Sequence, residues 1–207
     1  NNQKIKSVEF SDDSELQSIG KKAFSSSSIE SLSIPSKVRE LKEGWCKGAN
    51  NLKHITISES NEYYKYESNE MILGKNDPKD EEFTKLIFIR RDAEFIRVPS
   101  YIKEICPYSF SECYKLKKIK ISSEADLVSI DKYSFSHSSI ESITIPIRVR
   151  YIHKKAFYCC FFLKSVVLIE ESELLSIDEE AFDGTLIERF FIPSKVIELK
   201  NGWCKGT

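Results

Sequence analysis

Residues 34–49, IPSKVRELKEGWCKGA, return at residues 192–207 as IPSKVIELKNGWCKGT. Thirteen of the sixteen positions are identical, and the copies start at 34 and 192, 158 residues apart. Duplication of this kind restricts the chain to repeat architectures, in which one supersecondary unit is stacked on copies of itself. The period therefore has to be found before any single residue is interpreted.

Aligning the chain on apolar-x-x-apolar-x-apolar gives eight copies: Ile5/Val8/Phe10, Ile29/Leu32/Ile34, Leu52/Ile55/Ile57, Ala93/Ile96/Val98, Leu116/Ile119/Ile121, Ile140/Ile143/Ile145, Leu163/Val166/Leu168 and Ile187/Phe190/Ile192. Their last residues are separated by 24, 23, 41, 23, 24, 23 and 24 positions. One short β-branched strand per 20–29 residues is the pattern of a leucine-rich repeat solenoid. The expected fold is one domain over residues 1–207, with eight coils whose equivalent strands stack about 4.8 Å apart in a parallel sheet. Short turns, 3-10 segments or short strands should form the opposite wall.

A second motif follows most strands, as in SIGKKAF (18–24), ELKEGWC (40–46), EICPYSF (104–110) and SIDEEAF (176–182). Its aliphatic residue and its final Phe or Cys should point inward. Proline follows the first strand in alternate coils (Pro35, Pro99, Pro146, Pro193), where it ends a strand without breaking the ladder. The same alternation gives Lys6, Glu30, Lys53, Glu94, Lys117, Glu141, Lys164 and Glu188 at one position, a potential charge ladder along the stack. Exposed pairs of this type contribute only about 0.2–1 kcal/mol each. The spacing of 41 marks an irregular third coil without a second motif. In its place, at about 58–92, Glu70–Leu73 and Lys85–Arg90 read as two strands joined by the turn Gly74–Glu82, a β-hairpin inserted in the wall.

These residues resemble the treponemal-type leucine-rich repeats of BspA-like surface proteins, through strand-Pro-x-x-(V/L)-x-x-I-(G/D)-x-x-(A/S)-F at 22 to 25 residues. The resemblance covers nearly the whole chain. It implies a cell-surface or secreted protein that attaches to host matrix proteins, host cells or other microbes, and it brings no catalytic residues. Trp45-Cys46 and Trp203-Cys204 depart from the usual Ala-Phe and concern packing.

Composition narrows the partners. With 31 basic and 32 acidic residues the net charge is −1, which disfavours nucleic acid and anionic membranes, since both select basic surfaces. No apolar run approaches the roughly 20 residues of a membrane span. The chain begins with Asn and breaks off inside a repeat, so it reads as part of something longer, with uncapped ends that would give weak end-to-end association. The six cysteines fall mostly at inward positions and read as free thiols. No C-x-x-C occurs, His54, His137 and His153 sit at different repeat positions, and the acidic runs lack calcium-loop spacing. Catalytic, cofactor-binding and metal sites are accordingly expected to be none.

With the three apolar positions inward, the two residues between them face out. Along the array the outward rows turn from small and polar to Phe95, Arg97, Lys118 and Lys120, then to Val167, Arg189 and Phe191. Aromatics beside Arg are over-represented in binding hot spots, so these seven form the expected protein-binding face. Tyr63, Tyr64 and Tyr66 make a second candidate, with the alternative that they cover the gap left by the missing motif. The expected function is a non-enzymatic protein-binding module, a surface adhesin or antigen. The alternative is an intracellular interaction scaffold, which reduced cysteines would suit.

Overall fold

In the computed structural model, which describes residues 4–11 and 13–207, the chain winds into a solenoid of about eight turns with parallel sheets and no helix among the described residues. Residues 1–3, at the end expected to be uncapped, lie outside that range, as does Asp12. In chain order the strands are β1 (Ser7–Val8), β2 (Ser18–Ile19), β3 (Ser31–Ile34), β4 (Glu40–Leu41), β5 (His54–Ile57), β6 (Tyr64–Glu67), β7 (Met71–Gly74), β8 (Lys85–Ile89) and β9 (Phe95–Arg97). They continue as β10 (Glu104–Ile105), β11 (Lys118–Lys120), β12 (Ser129–Ile130), β13 (Ser142–Thr144), β14 (Tyr151–Ile152), β15 (Ser165–Val167), β16 (Ser176–Ile177) and β17 (Glu198–Leu199).

The first wall is two parallel sheets, β1-β3-β5 and β9-β11-β13-β15, and β5 does not pair with β9. Register follows the sequence alignment: Leu32 stands opposite Ile55, and Ile119 opposite Ile96. The eighth copy differs from expectation, because residues 187–192 form no strand. There the inward residue is Phe190, larger than the Val, Leu or Ile of the other coils, and its ring packs edge-on to Phe182 at 4.9 Å and Trp203 at 5.2 Å.

The second wall is made of short strands. Each is followed by a tight corner whose residues at i and i+4 have positive φ, such as Tyr133 and His137 or Lys155 and Cys159. The left-handed conformation costs a non-glycine residue roughly 1–2 kcal/mol. Hydrogen bonds between stacked corners offset it: Phe135 N–H donates to Ala156 O at 2.8 Å and His137 N–H to Tyr158 O at 2.9 Å. The corner at Gly44 and Gly48 uses glycine at both positions, and a Cβ on Gly48 would stand 3.0 Å from Ser26 Oγ.

The irregular coil organises the whole molecule. The expected hairpin is present as β7 and β8, antiparallel with a register shift between Ile72 and Leu73. A third strand, β6, joins it on the other side of β7, so the insertion is a three-stranded meander rather than a hairpin alone. Glu67 to Glu70 close the β6–β7 connection with Ser68 and Asn69 at φ 53° and 56°, the two positive values that a tight hairpin turn requires. On its far edge β8 pairs in parallel with β10, taking the place of the missing second-wall strand.

Every residue of β7 is buried, as expected for a strand covered on both faces. Ile72 and Phe88 pack into an N-terminal core with Leu32, Trp45 and Ile55. Met71, Leu73, Leu86 and Ile89 pack into a C-terminal core with Ile105, Phe110 and Phe135. The meander is thus a partition between two hydrophobic cores.

Candidate functional site

The outer face of β9 and β11 gathers four of the seven expected binding residues. Lys118 is paired with Phe95 and Lys120 with Arg97 across neighbouring strands. Both strands alternate inward and outward, so the four side chains project to solvent while Ile96 is fully buried beneath them. Phe95 is 48% exposed. Among the described residues none of the three cations forms an ion pair, which leaves their full charge to a partner. The paired strands fix their backbone, so the ordering cost of binding is confined to the side chains.

The other three do not join this cluster equally. Val167, 45% exposed, faces out from β15, two strands beyond β11 and about 10 Å from Lys120 at sheet spacing. Arg189 and Phe191 lie past β15, where the strand ladder has ended, so they are not presented by a sheet. Phe191 is nonetheless 47% exposed.

The three tyrosines are separated by the fold. Tyr64 is buried: its hydroxyl accepts from Leu41 N–H at 3.0 Å and donates to Arg39 O at 3.3 Å, standing in for the strand that would otherwise pair with β4. Burial pushes its phenol up from the usual range. It covers the gap and is not a surface residue, which corrects its place in the second candidate patch. Tyr63 lies half-buried toward Arg39 and Ser60, whereas Tyr66 faces the groove above β3 and β5.

Two polar residues secure the meander. Asn61 is buried and makes four hydrogen bonds, donating from Nδ2 to Pro35 O and Val38 O at 2.9 Å and accepting Tyr63 N–H and Tyr64 N–H at 2.9 and 2.8 Å. Arg91, 4% exposed, fills the space where a corner is missing. Its Nη1 donates to Ser109 O at 3.0 Å and contacts Cys113 Sγ at 3.0 Å, its Nη2 reaches Cys46 Sγ at 3.9 Å, and the guanidinium lies 4.5 Å from the Phe88 ring centre. In regular coils the corresponding carbonyl accepts a backbone N–H from the adjacent corner. Here a side chain and Ile89 N–H supply the donors.

All six cysteines are unpaired thiols. Burial pushes Cys46 up to about 11 and Cys160 up to about 12, which makes both poor nucleophiles. The histidines do not meet. His54 faces out from β5, His137 packs edge-on to Tyr158, and His153 sits between Asp131 and Asp178 at 3.5 and 3.1 Å. Of the expected charge ladder, Lys6–Glu30 closes at 2.9 Å, and that contact with Lys6 holds the Glu30 carboxyl below its usual range. The backbone of the ladder is in register throughout β11–β15, with Glu141 N–H on Lys117 O and Lys164 N–H on Glu141 O.

The sequence reading passed over one exposed apolar group. Phe161 and Phe162, 58% and 56% exposed, stand on the corner between the walls, and the Phe161 ring lies 6.4 Å from His137. Two consecutive Phe residues where the preceding coil has Ser138-Ser139 were the available signal.

The profile of the BspA type leucine rich repeat region matches residues 1–70 and 81–206 in six copies, leaving a gap across β7 and the following turn. Among solved structures, the pneumococcal vaccine antigen PcpA is similar at 22% identity and a TM-score of 0.67, over 99% of this chain and 43% of that one. A leucine rich cell surface protein from Faecalibacterium prausnitzii A2-165 is similar at 18% identity and a TM-score of 0.60, over 89% and 51%. A leucine-rich repeat protein from Eubacterium ventriosum shares 21% identity at a TM-score of 0.51, over 92% and 62%. At these identities the likeness concerns the fold. The chain spans 43–62% of the length of these proteins. None of the curated proteins matches it.

Proposed function

From the premise that the chain belongs to the BspA-type leucine-rich repeat family, we propose that it is a non-enzymatic protein-binding module of a cell-surface or secreted protein, an adhesin or antigen that contacts host matrix proteins or cells. The observation that carries this reading is the cluster of Phe95, Arg97, Lys118 and Lys120 on adjacent, well-packed strands. Its apolar centre and unpaired cations suit an acidic protein surface bearing an apolar anchor. Such charges raise the association rate and fix orientation, while the aromatic supplies buried area. Val167 would extend the same surface, and Arg189 and Phe191 would contact a larger partner from beyond the sheet.

The test is binding of the purified chain to immobilised fibronectin, fibrinogen and epithelial cells, alongside Phe95→Ala and Lys120→Glu variants. Saturable binding that weakens about tenfold in either variant, about 1.4 kcal/mol, is expected. Binding unchanged in both variants would remove the sheet face as the site, and no binding to any of the three would remove the adhesin reading. The six unpaired thiols favour one alternative, an intracellular interaction scaffold. Sequence of the parent protein on either side of residues 1–207 decides between them through a signal peptide or anchor.

A further inference from the structure

The first sheet and the meander together enclose a groove of about 630 Å³ on the outer face of β3 and β5. Its volume lies in the range of small-ligand sites, which run to roughly 300–1,000 Å³. The floor carries Ser31 and His54, paired across the two strands. The β6–β7 turn stands along one side, where Tyr66 and Asn69 line the groove. Tyr66 hydroxyl donates to Asn69 O at 3.1 Å, which ties the ring to the turn. At the end toward β9, Arg90 and Asp92 hold each other at 3.4 Å, and Arg90 N–H donates to Glu70 O at 2.8 Å.

We propose that this groove binds a short neutral oligosaccharide. The ligand class follows from the chemistry of the lining. Asn69 and His54 each offer a donor and an acceptor, Ser31 does so through one hydroxyl, and Arg90 with Asp92 offers both from one adjoining pair. Such a lining matches a ligand whose every polar group is likewise donor and acceptor, as vicinal hydroxyls are. The Tyr66 ring adds an apolar surface against which the C–H face of a sugar ring can lie. Asp92 offsets the charge of Arg90, and Glu9 that of Lys53, the other cation of the lining, so the groove has no unbalanced cation cluster of the kind that selects phosphate or nucleic acid. A peptide that adds a strand needs a free strand edge, whereas the groove opens on the outer face of β3, which is paired on both edges, and of β5 beside it. The short floor side chains leave room for a ring system rather than pockets for alternate side chains.

This site is distinct from the basic and aromatic face on β9–β11, so the two can be tested independently. The experiment is saturation-transfer NMR on the whole chain with cellotriose, maltotriose, mannotriose and N-acetyllactosamine. Transfer to at least one sugar is expected. Affinity should fall about tenfold in Ser31→Trp, which fills the groove from an outward position, and in Asn69→Ala. Lys120→Glu should leave sugar binding unchanged, and Ser31→Trp should leave binding to protein ligands unchanged. Thermal unfolding of each variant establishes that it is folded, and Asn69→Ala decides the matter should Ser31→Trp fail to fold. No transfer to any of the four sugars at millimolar concentration, or transfer undiminished in a folded groove variant, would overturn the proposal, as would binding of a short peptide that Ser31→Trp abolishes.

Discussion

The two sides of the meander are built from one repeat, yet they differ in both core and face. In the C-terminal core Phe110, Phe135, Phe157 and Phe182 stack in a column, with successive centroids 4.5, 4.9 and 4.9 Å apart and planes within 12°. In the N-terminal core Phe24 meets Trp45 edge-on at 85°, and Trp45 meets Phe88 at 48°. The cause is local. Trp45-Cys46 places the large ring one residue earlier than Ala156-Phe157 does, so the rings cannot lie in one column. Outside, the N-terminal sheet shows hydroxyls beneath an overhang, and the C-terminal sheet shows cations and Phe95 on an open surface. Inward positions must satisfy the neighbouring coils above and below, whereas outward positions are free of that constraint. The contrast therefore locates where function was free to diverge.

Substitutions at buried aromatics give the largest effects. Phe135→Ala, in mid-column, should cost about 3–5 kcal/mol, whereas Phe24→Ala, half-buried near the N-terminal end, should cost less. Urea unfolding followed at the two tryptophans measures both. Equal losses would show that the ordered column carries no more of the stability than the tilted one. Next comes Arg91→Ala, which leaves Ser109 O without one donor and opens a void beside Cys46 and Cys113. A loss of about 3 kcal/mol is expected. Because Arg91 joins the two cores, the variant should also split unfolding into two transitions, which calorimetry would detect. A single transition at reduced Tm would mean that β7 and β8 suffice as the joint.

A smaller effect separates two carboxylates of the C-terminal second wall by pH. Burial, and then the nearby Glu104 carboxylate, push Asp131 up to about 6, against an opposing pull from His153 at 3.5 Å, with Lys85 also facing it. The folded state holds this proton more tightly than the unfolded chain does. That contribution is complete below about pH 4 and is lost as pH rises through about 6. Asp131→Asn should therefore match the parent in acid and raise Tm above pH 6 by about 2–4 °C. A variant that lowered Tm at pH 7 would show that the ionised carboxylate is favourable beside His153. Asp178 is the contrasting case, since hydrogen bonds from Lys200 and His153 outweigh burial and hold it below the usual range. The smallest change is Lys6→Gln, which removes the exposed Lys6–Glu30 pair and should lower Tm slightly at low salt and not at all at high salt.

Much of this was legible in the chain because stacking forces each inward position to repeat. Ile55, Ile96 and Ile143 could be placed in the core from spacing alone, and Asn76-Asp77-Pro78 announced the turn between β7 and β8. What escaped the reading depends on contacts that occur once. The spacing left Tyr64 open between a surface patch and a cover for the gap, and it is the cover because its hydroxyl meets the backbone of β4, an edge that exists only where the repeat fails. Arg91 carries no signal in the sequence beyond following Arg90, and its burial follows from the corner that this coil lacks. Phe191 and Arg189 were placed on a sheet by extrapolating a period past the last strand that forms. Of the seven residues expected on the binding face, the alternation correctly placed Phe95, Arg97, Lys118 and Lys120 outward on adjacent strands. The groove was not legible, since its floor and its overhang come from segments joined only by the meander.

The fully buried β7 has a consequence for how the molecule fails. In an ordinary solenoid each coil leans only on its neighbours, so loosening at one end can propagate coil by coil to the other. A strand apolar on both faces and hydrogen-bonded on both edges, in a meander that Asn61 and Arg91 tie to the neighbouring coils, interrupts that sequence like a bulkhead in a hull. Loosening that starts among the last coils therefore cannot run past the meander one coil at a time, since Met71 and Leu73 belong to one core and Ile72 to the other, and breaking the strand takes both cores in one step.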